Sequence, residues 1–300
     1  MSVFEAYEAP KSLEEALELL AARKGRVRPV AGGTDVLVRL KRGTLPENQS
    51  ILLNVKNIPE LKTIEATGSS ENGSLRVGAA VTMRTLEFDE TVREVMPILS
   101  DVANKIASAQ IRAMATIGGN VVNASPAADM AVALLLLEAE VETARLDGGV
   151  QTARVPLESF FTGPGEIALD DASLVTGFHV PLSGAGMQFA FEKGGVRPAM
   201  ECAVVSVGCG VSRDSDGVVG EARVAMGAVA PTPIRAREIE AFLTGKKLTD
   251  ETIAQAADVG DDAIQPISDV RGSAEYRREL VRALLKTALY RLSEAKGGSA

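Results

Sequence analysis

The sequence is short of the residues that hold metals. It has two cysteines, Cys202 and Cys209, and one histidine, His179, in 300 residues. An iron–sulfur cluster takes about four thiolates, so this chain cannot hold one by itself. Both cysteines lie in ECAVVSVGCGV, and on a strand their odd separation puts them on opposite faces. They are expected to be buried, inert thiols. The lone histidine, in LVTGFHVPL, is expected to be structural. Metal catalysis and Cys–His nucleophilic chemistry are disfavoured, and no metal site is expected. Basic residues are in deficit too: 32 Lys and Arg stand against 40 Asp and Glu, a net charge of −8. That argues against a nucleic-acid binder, whose affinity comes largely from cations on phosphates. No run approaches the roughly 20 apolar residues of a membrane span. AVALLLL (131–137) is too short for one and reads as a buried helix. MSVFEAYEAPKSLEE has neither the basic nor the apolar region of a secretory signal, so a cytoplasmic protein is the expectation.

What is present is apolar and patterned. Hydrophobic residues make up 46% of the chain, enough for a large core divided among two or three domains. Ser12-x-x-Glu15 is a capping box, with Leu13, Ala16, Leu17 and Leu20 on one helical face. RVRPV, VLVRLKRG and ILLNV read as a β-loop-α-β unit over about 26–55. LKTIEA and SLRVGAAV alternate around the turn TGSSENG and predict a hairpin. Helices are expected from about Thr82 and over about 97–109. EVETARL, QTARVPL and SLVTGFHVP follow as strands. From Met187 three more strands are expected, in MQFAFEK, CAVVSVGCGVS and EARVAMGAVA. Three helices then close the chain, the last with Tyr276, Leu280, Leu284, Thr287 and Ala288 on one face. The expected divisions are 1–57, 58–182 and 185–293, with a frayed tail at 294–300.

Two segments carry glycine pairs beside helices: AGGTD (31–35) and TIGGN (116–120). Glycine lets the backbone adopt positive φ and approach a ligand closely. Successive N–H groups then form a concave anion site, to which Thr34 and Thr116 add hydroxyls. Two such loops on one site suit a pyrophosphate. Neither is a P-loop or a Rossmann fingerprint. Each residue has a plainer reading. Asp35 and Asp129 serve equally as helix N-caps, and Asn120 and Asn123 as turn formers.

RPVAGGTDVLV, QIRAMATIGGNVVNASPAAD, VPLESFFTG, GAVAPTPIRA and SDVRGSAEYRR occur together and in order. In this the chain resembles the FAD-binding subunit of the molybdenum hydroxylase family, which includes xanthine dehydrogenases and aerobic carbon monoxide dehydrogenase. The resemblance implies an α+β fold of the vanillyl-alcohol-oxidase (PCMH) type. Two α+β subdomains hold FAD non-covalently, and a C-terminal domain follows with a three-stranded antiparallel sheet and helices. It implies that Arg28, Pro29, Val30, Ala31, Gly32, Gly33, Thr34, Asp35 and Val36 form a first flavin loop. Thr116, Gly118, Gly119, Asn120, Val122 and Asn123 form a second. Asp129 faces the adenosine part, Val175 the adenine, and Lys193 the isoalloxazine, where it tunes the flavin. By the same resemblance, [2Fe-2S] clusters sit on a small partner chain and molybdopterin on a large one, in a heterotrimer or a dimer of heterotrimers. NAD or another carrier takes the electrons. The segments NKIA (104–107) and KGGVRPAME (193–201) hold no aromatic, unlike those relatives that stack one on the ring. A stand-alone flavin oxidase of the same fold, or a non-enzymatic nucleotide-binding module, are the alternatives.

Overall fold

The computed structural model describes residues 4–46, 48–68, 72–182, 186–197 and 200–295. The middle of the expected hairpin turn, residues 198–199 of KGGVRPAME, and the expected tail from 296 onward lie outside the described residues.

The first part is a small parallel sheet. Strands β1 (Ala6–Glu8), β2 (Val27–Val30) and β3 (Ile51–Asn54) run in the order β1-β3-β2. β1 has no signal in the periodicity; it is three residues long and pairs through its backbone. Helix α1 (Leu13–Ala22) begins as expected at Ser12, whose hydroxyl accepts the Glu15 N–H. Glu15 reaches back to the Lys11 amide at 2.7 Å, one residue beyond the usual capping-box partner. Helix α2 (Val36–Arg42) follows the first glycine pair and buries no residue.

The second part is a five-stranded antiparallel sheet in the order β4-β5-β10-β6-β7. Its strands are β4 (Ile64–Thr67), β5 (Ser74–Gly78), β6 (Glu140–Leu146), β7 (Val150–Pro156) and β10 (Ser173–Pro181). Ala16, Leu17 and Leu20 of α1 share a core with Ala144 and Leu174 on one face of this sheet. Helices α3 (Met83–Phe88), α4 (Glu90–Val95), α5 (Pro97–Asn104), α7 (Ile117–Val122) and α8 (Asp129–Leu136) share a larger core with Leu75, Val77, Val175 and Phe178, while α6 (Ala109–Arg112) buries only Arg112. Helix α9 (Leu157–Phe160) and the two-stranded ribbon β8 (Phe161–Gly163) with β9 (Glu166–Ile167) complete it.

Two expectations are corrected here. The helix expected over 97–109 ends at Asn104, and α6 restarts behind a Ser108 N-cap. Between them Ala107 sits at φ 46°, a left-handed conformation that breaks a helix. TIGGN is a helix start rather than a loop before a turn: Thr116 caps α7 by accepting the Gly119 N–H.

The third part is the antiparallel sheet β11 (Gln188–Gly194), β12 (Val205–Arg213), β13 (Val219–Gly227) and β14 (Ile234–Arg235), in that order. The two-residue β14 adds a fourth strand to the three expected. Helices α10 (Arg237–Leu243), α11 (Asp250–Val259) and α12 (Ala274–Glu294) follow. The buried stripe of α12 is Arg277, Val281, Leu285, Ala288, Leu289 and Leu292, so of the face expected from the sequence only Ala288 is fully buried, with Leu280 and Leu284 packed at the edge of the core. The shift has a cause. Arg277 is 1% exposed, yet its terminal nitrogens are held by Asp269 at 2.7 Å and by the Val204 and Ala228 carbonyls at 2.7 and 2.8 Å, and only its Nε is left without a partner among the described residues. A paired arginine therefore occupies a core position that charge alone would place in solvent.

Helix α8 explains its own composition. Leu136 meets Gly208 of β12, and Val132 meets Gly227 of β13, while the rest of the helix belongs to the core under the five-stranded sheet. Packed between the two, all eight of its residues are buried, which is why it is apolar all round. Among the described residues no helix is long and apolar enough to cross a membrane.

Candidate functional site

The two glycine pairs meet. A Cβ on Gly32 would lie 1.9 Å from the Met114 carbonyl oxygen, so the first loop presses on the residues leading into the second with no side chain between. Gly33 holds φ 68°, which glycine adopts without strain. The amides of Gly32, Gly33 and Thr34 donate to no group among the described residues. The loop is partly open to solvent from Ala31 to Thr34, as are Arg28, Pro29, Val30 and Val36, and Asp35 is exposed. Asp35 occupies the N-cap position of α2 but makes no side-chain cap bond. Arg28 reaches Gln49 at 3.2 Å; burial, with Arg39 nearby, lowers its pKa from the usual arginine value.

The second loop differs from a nest of free amides. Ile117 donates to Val81, Gly118 to Ala79, and Asn120 to the Thr116 carbonyl. Its contribution is therefore shape and side chains. Gly118 lies so close to Ala79 that a Cβ would be 2.6 Å from that carbonyl oxygen. The Asn120 Oδ1 is buried without a hydrogen-bond partner, a cost that a native site does not normally leave uncompensated. Val122 and Asn123 are half-buried beside it. Val175 packs in the large core next to a β-bulge in β10. The bulge carries Thr176, whose carbonyl accepts from Ala79.

Asp129 is not an N-cap, since Ala128 takes that position. Its Oδ2 meets the Lys193 ammonium at 2.6 Å, with side chains only 6% and 11% exposed. The structure thus joins two residues that the resemblance assigns to opposite parts of FAD. Burial raises the Asp129 pKa from its ordinary value, and Lys193 opposes that shift. Asp129 Oδ1 is buried without a partner. Lys193 also donates to the Glu201 carbonyl at 3.0 Å and the Lys105 carbonyl at 3.3 Å. It lines a cavity of about 970 Å³ with Asn104, Lys105, Ser108 and Gln110 on one side and Gly195, Arg197 and Glu201 on the other.

The site carries residues that sequence reasoning passed over: Lys105, Arg112, Glu87 and Glu201. Arg112 had a signal, standing in QIRAMA directly before the second glycine pair; Glu87, in MRTLEF, had none. His179 is structural: its Nε2 lies 2.7 Å from Glu142. Cys209 is buried, and burial pushes its thiol pKa up. Cys202 is exposed, contrary to expectation, because β12 starts at Val205 and leaves it in the preceding loop. No group of His, Cys, Asp and Glu suited to a metal occurs among the described residues.

This donor set fits a phosphate-bearing dinucleotide such as FAD. Free backbone amides stand at the first loop, an unsatisfied buried acceptor at the second, and Lys193, paired with Asp129, lines a cavity. Comparison with known proteins agrees. Residues 2–183 match the FAD binding domain in molybdopterin dehydrogenase. Residues 190–292 match the CO dehydrogenase flavoprotein C-terminal domain. The xanthine dehydrogenase FAD-binding subunit of Escherichia coli O157:H7 is 32% identical over 98% of each chain. The carbon monoxide dehydrogenase medium chain of Hydrogenophaga pseudoflava is 31% identical over 94% of this chain and 95% of that one. A solved carbon monoxide dehydrogenase from Hydrogenophaga pseudoflava, lacking the Mo-pyranopterin moiety, superposes with a TM-score of 0.88 at 30% identity over 97% of each chain.

Proposed function

The chain belongs to the FAD-binding medium subunits of the molybdenum hydroxylases, and from that membership we propose that it accepts electrons from [2Fe-2S] clusters on a small partner chain and passes them to NAD or another acceptor. A large molybdopterin chain, where substrate is oxidised, completes the proposed heterotrimer or its dimer. The proposed setting is the cytoplasm, in keeping with two cysteines that form no disulfide.

The observation that carries the reading is the junction of the two loops at Gly32 and Met114, with the unpaired amides of Gly32, Gly33 and Thr34 beside it. FAD supplies the ability to take electrons singly and give them up in pairs; the chain supplies binding, orientation and electrostatics. The amides of Gly32, Gly33 and Thr34 and the Thr34 hydroxyl would hold the pyrophosphate, with Arg28 near enough to add charge. Asn120 would be satisfied by a donor from the same ligand, with Thr116, Gly118, Gly119, Val122 and Asn123 shaping the wall. Val30, Ala31, Val36, Pro29 and Val175 give the cradle its apolar support. Asp129 holds the Lys193 ammonium in place at the cavity wall, where it would stabilise negative charge on a reduced flavin. No side chain need act as nucleophile or base.

The test is reduction of the complex co-purified from its native source, followed at flavin wavelengths, with acceptors then added one at a time. Flavin bleaching by substrate and recovery with one acceptor is expected. Bleaching by substrate without any contribution from iron–sulfur signals would contradict the proposed route.

A further inference from the structure

Arg112 is 8% exposed and Glu87 7%, and neither is accounted for by cofactor binding. Every N–H of the Arg112 guanidinium is engaged. Nε donates to Glu87 Oε2 at 2.9 Å, and Nη2 to Glu87 Oε1 and Asn104 Oδ1, each at 3.4 Å. Nη1 donates to the Ile106 and Ala107 carbonyls at 3.1 and 3.3 Å. Glu87 is anchored in turn, its carbonyl accepting from Ser100 at 2.8 Å and Arg93 at 3.0 Å. What Arg112 grips is the break between α5 and α6, where Ala107 holds its left-handed backbone. A non-glycine residue there costs on the order of 1–2 kcal/mol and persists only when its surroundings fix it. Asn104, Lys105, Ala107 and Ser108 of this ledge line the Lys193 cavity. The ledge and β11 also clasp each other: the Lys105 ammonium donates to the Phe191 carbonyl at 2.5 Å, and the Lys193 ammonium to the Lys105 carbonyl.

We propose that Arg112, braced by Glu87, is a positioning residue for the redox site: it fixes the 104–108 ledge, whose Lys105 carbonyl helps aim the Lys193 ammonium. The proposal rests on the FAD reading for its redox half and on protein geometry alone for the ledge. Arginine is required because its planar fork serves a carboxylate and three further oxygens at once. Lysine brings three donors from a single atom and can satisfy only some of them.

Two readouts separate the halves. In the flavin-free chain, hydrogen exchange is read at the amides of Lys105 and Ile106, which are bonded to the Val102 and Ala103 carbonyls. Arg112→Met should speed exchange there about tenfold or more while β12 and β13 keep wild-type protection. Arg112→Lys should fall between, and Glu87→Gln gives a milder perturbation should Arg112→Met not fold. In the FAD-loaded chain, the flavin midpoint potential should fall in Lys193→Met and fall less in Arg112→Met. The double variant should fall no further than Lys193→Met. Wild-type exchange at Lys105 and Ile106 in Arg112→Met and in Glu87→Gln would overturn the ledge half. A double-variant shift equal to the sum of the singles would overturn the route through Lys193. A potential unmoved by Lys193→Met would remove the redox half together with Lys193's assignment, and exchange would still decide the ledge.

Discussion

Replacing Gly32 with alanine tests the meeting of the two loops. The added methyl would lie 1.9 Å from the Met114 carbonyl oxygen, 2.5 Å from its carbon and 3.0 Å from the Ala115 nitrogen. Ordinary contact begins near 3.4 Å, so backbone must move by well over an ångström, and no flexible side chain is there to yield. Overpacking of this kind costs about 1–3 kcal/mol, and backbone on both sides argues for the upper end. The movement pulls the free amides of the first loop from the second. Loss of one charge-assisted hydrogen bond to a pyrophosphate costs about 1.5–3 kcal/mol, or roughly ten- to a hundredfold in affinity. FAD affinity by titration of flavin fluorescence, and melting of the flavin-free chain, measure the two effects separately. Gly43→Ala is the control. Gly43 ends α2 at φ 67°, and a Cβ added there would have nothing within 4 Å, so the substitution should cost about 1 kcal/mol of stability and leave FAD affinity intact. Wild-type affinity in Gly32→Ala, within twofold, would refute the reasoning.

Asp129→Ala should destabilise the chain by about 3 kcal/mol by leaving the buried Lys193 ammonium unpaired, and Asp129→Ala with Lys193→Met should recover part of that in urea unfolding; equal costs for single and double variants would show the pair to be unimportant. Glu142 should contribute acid sensitivity. Burial works against its ionisation, but hydrogen bonds from Arg76, His179 and Thr176 outweigh that and hold its pKa at about 2, against an ordinary 4.5. A depressed carboxylate stabilises above the unfolded pKa and loses that contribution as pH falls from 4.5 to 2, at most about 3 kcal/mol. Glu142→Gln should therefore be less stable at pH 7 and converge with wild type near pH 2; parallel curves would exclude this. A thiol reagent should titrate Cys202 in the native chain and Cys209 only after unfolding, and two reactive thiols in the folded protein would contradict the burial of β12.

Much of the fold was legible where local chemistry and packing agree. Ser12 caps α1, the alternation of LKTIEA and SLRVGAAV gives an antiparallel pair, and AVALLLL is a buried helix. The failures have physical causes. The α5–α6 break depends on Arg112 reaching back to two carbonyls, which no helical periodicity encodes. The α12 stripe was displaced because Arg277 is buried, held by Asp269 just before the helix and by two carbonyls distant in sequence. At the site, the glycine pairs announced close backbone approach, and Gly32 and Gly118 show it. Their division of labour did not show: the amides of the second loop are taken by Val81, Ala79 and Thr116, and only the first loop keeps its donors free. Nor did spacing indicate that Asp129, at the start of α8, and Lys193, in β11, would meet.

The most direct test of the central claim is the absorption spectrum of the purified chain, followed by chromatography of whatever heat releases. Bands near about 375 and 450 nm, with free FAD in the supernatant, are expected of a non-covalent flavoprotein subunit. A chain that shows no flavin, even after incubation with FAD and co-expression with its partner chains, would contradict the assignment of both glycine loops.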